Sequence, residues 1–350
     1  MKKKKVKAIA LVSGGLDSTV AVQMIKDQGI EVKGINFNTG FCITDHKKKI
    51  NRPDMPLKKM RNEALRAAAD TQIPLEIIDL SKDYMEKVVL NPKYGYGAGL
   101  NPCLDCRIYM LKKAKQIMEK EKADFIFTGE VLGQRPKSQR SHQLRIIEQE
   151  TGLEGLLLRP LSAKLLEETL VEKMGLVNRE KLGNISGRSR KPQIELAQTL
   201  NILDYPQPAG GCCSLPDPNY AGRLLDLIKH QKKVSKEDAL LLKVGRHFRL
   251  NKNAKLIVGR DELENNFLIQ YPKGKAIIET VGYVSPTTLL IGSFTKKNIE
   301  IAGGITLRYA DCPKDQDIPF SVRLRGKTKI FKGQALSQET IETLRVKPKS

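Results

Sequence analysis

The 350-residue chain carries 61 Lys+Arg against 39 Asp+Glu, a formal charge of +22, and is 40% hydrophobic with six cysteines. This length suffices for two domains. No apolar run approaches the roughly 18 residues that cross a bilayer, which excludes a spanning protein and leads us to expect a cytoplasmic one. Residues 245–350 hold 19 basic and 10 acidic residues, so both parts of the chain are basic and a polyanionic partner is expected. Cysteines in a chain that runs from Met1 and a lysine tract straight into an apolar strand argue for reactive thiols or a metal site over a disulfide framework.

The first apolar run starts at Val6 and stops at Ser13-Gly14-Gly15, after which Leu16-Asp17-Ser18-Thr19 opens a helical pattern to about Gln28. Strand, glycine turn and helix start together form an anion seat, because the first N–H groups of a helix are free and the glycines let a ligand approach the backbone. A second strand, Ile30 to Phe37, completes a βαβ unit. Its end, with Asn36 and Phe37, lies where such sheets hold the base of a nucleotide. A helix over Asp54 to Asp70 follows, with Met60, Ala64, Leu65, Ala68 and Ala69 as its buried face, then strands at Leu75–Leu80, Asp124–Thr128 and Gly155–Leu158. This alternation predicts an α/β fold, a doubly wound parallel sheet of roughly five strands.

Glycines and prolines forbid regular structure before Pro102, and helical spacing resumes at Cys103, so Cys103 and Cys106 fall in a first helical turn. The helix dipole and Arg107 are expected to favour their thiolates. A second cysteine-bearing turn, Gly210-Gly211-Cys212-Cys213, offers further thiols near the same sheet end, and a cluster on three of them would leave one iron open. Cys42 and Cys312 are expected to be structural. The polar run after strand four contains Thr128, Gly129, Arg135, Lys137 and Arg140, and a similar turn contains Arg188 and Arg190. All five cations are RNA-binding candidates. Tyr220 to Val244 reads as a helical connector. Beyond it, short β-rich runs at 246–250, 255–260, 275–284, 287–292 and 300–309, with a helix over Glu262–Gln270, predict a second, smaller α+β domain.

The run Ser13-Gly14-Gly15-Leu16-Asp17-Ser18, with Pro102-Cys103-Leu104-Asp105-Cys106, Thr128-Gly129 and Gly211-Cys212, resembles the PP-loop ATP pyrophosphatases that make thiouridine in tRNA. Gly245-Arg246-His247-Phe248-Arg249-Leu250, Val258-Gly259-Arg260 and Glu264-Asn265-Asn266 are similar to the RNA-binding module of NFACT proteins. The resemblance implies three segments: residues 1–220 binding ATP and Mg²⁺ and carrying the catalysis, a connector over 221–244, and residues 245–350 binding RNA. It also implies adenylation of a uridine carbonyl oxygen in a tRNA docked across both domains, followed by displacement of AMP by sulfur. In that pattern Ser13, Gly14, Gly15, Asp17, Ser18, Asn36, Phe37, Thr128 and Gly129 bind the nucleotide. Asp17, Cys103, Cys106 and Cys212 carry the chemistry, and these three cysteines, with Cys213 beside them, are ligand candidates for a [4Fe-4S] cluster. Sulfur is expected from free sulfide or a separate carrier protein, and a homodimer is an open option. The competing readings are a synthetase acting on a small metabolite and a non-catalytic RNA-binding protein.

Overall fold

The computed structural model describes residues 5–42, 62–206 and 212–349, which form two compact units. The first contains 5–39, 62–206 and Cys212; the second contains 40–42 and 213–349.

In the first unit, β1 (Lys7–Leu11), β2 (Glu31–Asn38), β3 (Leu75–Asp79), β4 (Phe125–Thr128) and β5 (Leu157–Leu158) form a parallel sheet in the order β3-β2-β1-β4-β5. This is the doubly wound α/β sheet that the alternation predicts. The larger helices around it are α1 (Leu16–Lys26), α2 (Glu63–Asp70), α3 (Cys103–Lys120), α4 (Ser141–Thr151) and α5 (Lys191–Thr199). Because side chains alternate along a strand, Ala8, Ala10, Phe125 and Phe127 pack with α1, α2 and α5 on one face. Ile9, Leu11, Ile35 and Ile126 pack with Ile108, Leu111 and Met118 of α3 and Ile147 of α4 on the other. Strand order reverses between β1 and β4, so the ends of these two strands open a crevice at Ser13 and Gly129.

The helix expected over Asp54–Asp70 is present from Glu63; the expected start, with Met60, lies outside the described residues. Asn62 caps it, its Oδ1 accepting from Ala64 and Leu65 N–H at 3.0 and 3.2 Å. Only the alanine face, Ala64, Ala67 and Ala68, is buried, while Leu65 is 50% exposed and Ala69 is exposed too. The rotation follows from the neighbour: a Cβ on Gly14 would lie 2.2 Å from Glu63 carbonyl carbon, and a helix that close presents its smallest residues.

The second unit is an antiparallel sheet of β6 (Arg246–Asn251), β7 (Ala254–Val258), β8 (Lys275–Thr280), β9 (Thr288–Gly292), β10 (Ile318–Leu324) and β11 (Lys327–Gly333), ordered β11-β10-β8-β9-β7-β6. Its helices are α6 (Pro218–His230), α7 (Lys236–Leu241), α8 (Glu262–Ile269), α9 (Lys296–Tyr309) and α10 (Gln338–Leu344). Ile305 of α9 and Ile341 of α10 pack with Leu256, Ile278 and Phe320, and Leu240 of α7 and Phe267 of α8 pack with Ile257, Ile277 and Leu289. The segment read as a connector is two helices that belong to this packing. Asp226 of α6 accepts from Arg249 at 2.7–2.9 Å and from Lys255 at 3.0 Å, tying α6 to β6 and β7.

One expected β-run is a helix. Residues 300–309 belong to α9, whose Thr295 cap accepts from Asn298 N–H. β-Branched Ile299, Ile301 and Ile305 favour a strand locally and the pair Gly303-Gly304 disfavours a helix, but packing overrides these weak preferences. A Cβ on Gly303 would lie 2.2 Å from the Phe320 ring, so the glycine is what lets the helix rest on β10. Gly303→Ala should therefore destabilise the second unit by about 1–3 kcal/mol, read as a lower urea midpoint with an unchanged slope.

Candidate active site

The turn after β1 is built by its own side chains. Gly15 caps α1 in extended conformation, and its carbonyl accepts from Thr19 N–H at 3.1 Å, Ser18 Oγ at 2.9 Å and Thr19 Oγ1 at 3.0 Å. Ser13 Oγ and Ser18 Oγ are hydrogen bonded at 3.2 Å across the mouth. Gly14 has φ of +81°, open to glycine at little cost, and its carbonyl accepts from Arg66 Nη2 at 2.8 Å. The backbone is thus fixed with its helix N-terminus free for an anion. Gly129 at the end of β4 backs directly onto it, since a Cβ there would lie 2.6 Å from the Asp17 and Ser18 backbone. Asn36 has its side-chain amide donating to Val12 carbonyl at 2.7 Å, which ties β2 to the end of β1. Phe37 is half-buried and packs on the α3 side of the sheet.

Asp17 is the charged residue of the turn. Its Oδ2 accepts from Gln134 Nε2 at 3.1 Å and lies 3.9 Å from Arg190 Nη2, while its buried Oδ1 has no hydrogen-bond partner. Sequence spacing separates the basic turns around Arg135 and Arg190, but the fold joins them. Leu132 bridges Ser186, Gly187 N–H donates to Leu132 carbonyl at 2.7 Å, and Gly133 N–H to Gln139 carbonyl at 2.7 Å. Glycine is required at both bends, with φ of +75° at Gly133 and +83° at Gly187. Arg190 is therefore half-buried at the anion seat, whereas Lys137, Arg140 and Arg188 are exposed.

Sequence reasoning assigns no role to Glu130, Arg159 or Gln134, though all three lie in or next to segments it singles out. Glu130 is buried; its Oε1 pairs with Arg107 Nε at 2.9 Å and its Oε2 with Arg159 Nε at 3.3 Å. Thr128 Oγ1 donates to Glu130 Oε2 at 3.2 Å, and Arg159 also pairs with Glu148. This carboxylate locks the start of α3 to the ends of β4 and β5. The preceding loop is tied to the same helix, Asp105 accepting from Lys93 and Tyr94 N–H at 2.7 and 3.2 Å.

Cys103 and Cys106 sit in the first turn of α3 as expected. Cys103 Sγ donates to Asn101 Oδ1 at 3.1 Å, and Arg135 Nη1 reaches Cys212 Sγ at 3.5 Å. Cys212 is exposed and interacts electrostatically with both Cys103 and Cys106. Cys213 instead forms a backbone bridge with Cys42 within the second unit. The expected activation of the thiols is overturned. Burial raises the pKa of Cys103, with the neighbouring Cys212 adding to it, and pushes that of Cys106 up to about 12. The helix dipole contributes only about 0.3–1 kcal/mol and Arg107 is committed to Glu130, so desolvation wins. Among the described residues no three Cys, His, Asp or Glu side chains are placed to hold one metal ion. Asp17 does fit Mg²⁺ in its usual partnership with phosphates, having one free carboxylate oxygen beside the anion seat.

The family described as the tRNA methyl transferase HUP domain matches residues 6–186. The chain belongs to this family. A second family, the NFACT protein RNA binding domain, matches residues 245–345. Among curated proteins, the tRNA-specific 2-thiouridylase MnmA of Petrotoga mobilis is 31% identical over 134 residues, 36% of this chain and 35% of the relative. That of Dehalococcoides mccartyi is 25% identical over 214 residues, 59% of this chain and 54% of the relative. The chain thus spans between about a third and a half of the length of these relatives. A solved 4-thiouridine synthetase in complex with RNA and ATP is 22% identical, with a TM-score of 0.33 over 57% of this chain and 52% of that one. Among the described residues no helix is long and apolar enough to cross a membrane.

Two outcomes follow from the site. Alkylation of Cys106, read by mass spectrometry, should be slow at neutral pH and rise about tenfold per pH unit through pH 9, while exposed Cys212 is modified first. Glu130→Gln should cost on the order of 3 kcal/mol, because Arg159 keeps its charge in a buried position with half its compensation gone.

Proposed function

We propose that the chain is an ATP-dependent tRNA uridine sulfurtransferase. The observation that carries this reading is the juxtaposition at one sheet end of an anion-binding turn with a free Asp17 carboxylate oxygen and a set of mutually interacting thiols, Cys103, Cys106 and Cys212. The family match, the relatives named as 2-thiouridylases and the match to an RNA-binding domain support it.

A uracil carbonyl carbon is a poor electrophile because its oxygen is a poor leaving group. Attack of that oxygen on the α-phosphate of ATP expels pyrophosphate and converts it into AMP, which leaves readily. The N–H groups at the start of α1 would hold the pyrophosphate, with Ser13, Gly14, Gly15 and Ser18 forming the seat and Thr128 and Gly129 its back wall. Asn36 and Phe37 would flank the base. Arg190 would offset the charge that builds on the departing pyrophosphate. Asp17 would hold Mg²⁺, which supplies neutralisation of the triphosphate.

Sulfur would be loaded as a persulfide on Cys212, the exposed thiol beside Arg135, which attacks the outer sulfur of a carrier protein's persulfide and releases that carrier's thiolate. Its terminal sulfur attacks the activated carbon and AMP departs with the uracil oxygen. The thiolate of Cys103 then attacks the Cys212 sulfur, breaking the S–S bond, leaving the new sulfur on the base and forming a Cys103–Cys212 disulfide that an external thiol reduces. Cys106, the more strongly buried thiol, would support this pair. Arg135, Lys137, Arg140 and Arg188 would contact the tRNA backbone near the site. The test is anaerobic incubation with ATP, a persulfide-loaded carrier protein, a reducing thiol and unmodified tRNA. Thiouridine and pyrophosphate should form together; Asp17→Asn should lower pyrophosphate release at least about a hundredfold, whereas Cys212→Ala should keep pyrophosphate release and lose thiouridine. Absence of thiouridine in every tRNA would overturn the proposal.

A further inference from the structure

In the second unit several cations on or next to β6, β7 and β8 are neutralised internally. Arg249 and Lys255 meet Asp226, Arg260 meets Glu264, and Lys275 meets Glu237. The β10–β11 hairpin differs. Residues 318–333 contain Arg323, Arg325, Lys327, Lys329 and Lys332 and no acidic residue. All five cations are exposed, and none is paired with a carboxylate among the described residues. β11 is the edge of the sheet, so its outer backbone groups are unpaired by any neighbouring strand.

The turn carries a second signal. Leu324 pairs with Lys327, leaving a two-residue loop of Arg325 and Gly326 with φ of 51° and 77°. Both positions of such a turn favour glycine or asparagine, and an arginine there holds a conformation that L-residues avoid. A strained cation in the loop of an uncompensated basic hairpin is unexplained by packing, since no described residue pairs with its charge. Lysines on an edge strand also deter pairing with other chains, but that role requires neither the arginine nor its strained position.

We infer that the β10–β11 hairpin is the surface through which the second unit grips the sugar-phosphate backbone of RNA, with Arg325 at its tip. This rests on the proposal that the substrate is tRNA. Register puts Lys327 and Lys329 opposite Leu324 and Val322, and Lys332 opposite Pro319, so charge lies on both sides of the edge and can follow a strand lying along it. With one aromatic residue in β11, half-buried Phe331, which is stacked on Phe320, the surface is suited to phosphates more than to bases.

The test measures binding of unmodified tRNA to the full chain across a salt series. Replacing Lys327, Lys329 and Lys332 together by Gln should weaken binding roughly tenfold at about 0.1 M salt and make the log–log salt slope shallower by about 2. Arg325→Gly removes the strain along with the charge, so it should bind tRNA several-fold more weakly while its thermal midpoint is unchanged or higher. Wild-type affinity and slope in both variants would overturn the assignment, whatever the result for thiouridine formation. Failure of the wild-type chain itself to bind tRNA would instead overturn the function on which it rests.

Discussion

The sheet end that carries the candidate chemistry depends on one buried carboxylate. Glu130 follows β4 by two residues and receives Arg107 from the thiol-bearing helix and Arg159 from the end of β5. A buried ion pair seldom adds net stability over an apolar packing of the same volume, but it is geometrically exacting. Here it joins three chain segments far apart in sequence, so that the start of the helix bearing Cys103 and Cys106 is tied to the ends of β4 and β5. Those sulfurs lie in a less favourable place for charge than their neighbours in the sequence suggest, chiefly because they are desolvated, with Arg107 committed to Glu130.

The site accordingly divides into a cationic part and a neutral part. Around the turn, Arg190 and Gln134 converge on Asp17 beside the helix N-terminus and leave one of its oxygens free. A stretch built to receive negative charge is pre-organised there, because its dipoles are fixed before any ligand arrives. Around the thiols desolvation dominates, so half-buried Cys103 and Cys106 resist ionisation, while Cys212, next to Arg135, is exposed. Such an asymmetry suits a relay in which one sulfur is loaded from outside and another is kept protected until the first is spent.

Much of the first unit was legible because its signals are local and redundant. Apolar runs, the Ser13–Ser18 turn and the helical spacing after Cys103 each point to one structure, and the doubly wound order follows from alternation. What escaped was long-range. Nothing near Arg190 in the chain announces that Gly133 and Gly187 bend two loops together, and nothing near Glu130 announces Arg159. The exposure of Leu65 and the helix at 296–309 were misread for a related reason: in both, a glycine on one element fixes how closely another can approach, and that fit decides which residues are buried. The β10–β11 hairpin was missed because its outer strand alternates lysine with threonine, isoleucine and phenylalanine too weakly to register as amphipathic.

The residues that make the second unit resemble an RNA-binding module are mostly occupied with its own fold. Glu264 accepts from Gly245 and Arg260 N–H at 3.1 and 2.9 Å, and Asn265 Oδ1 accepts from Thr287 N–H at 3.0 Å. His247 is buried with Nε2 2.8 Å from Val244 carbonyl, and Arg246 lies over the Tyr309 ring at 4.5 Å. A side chain so engaged would lose an internal contact in order to bind a phosphate. Affinity for a polyanion must then come from cations with no internal task, since for these the gain of releasing counterions is not offset by a broken pair. The residues by which the module is known therefore specify its shape, and binding falls to positions that a motif does not mark.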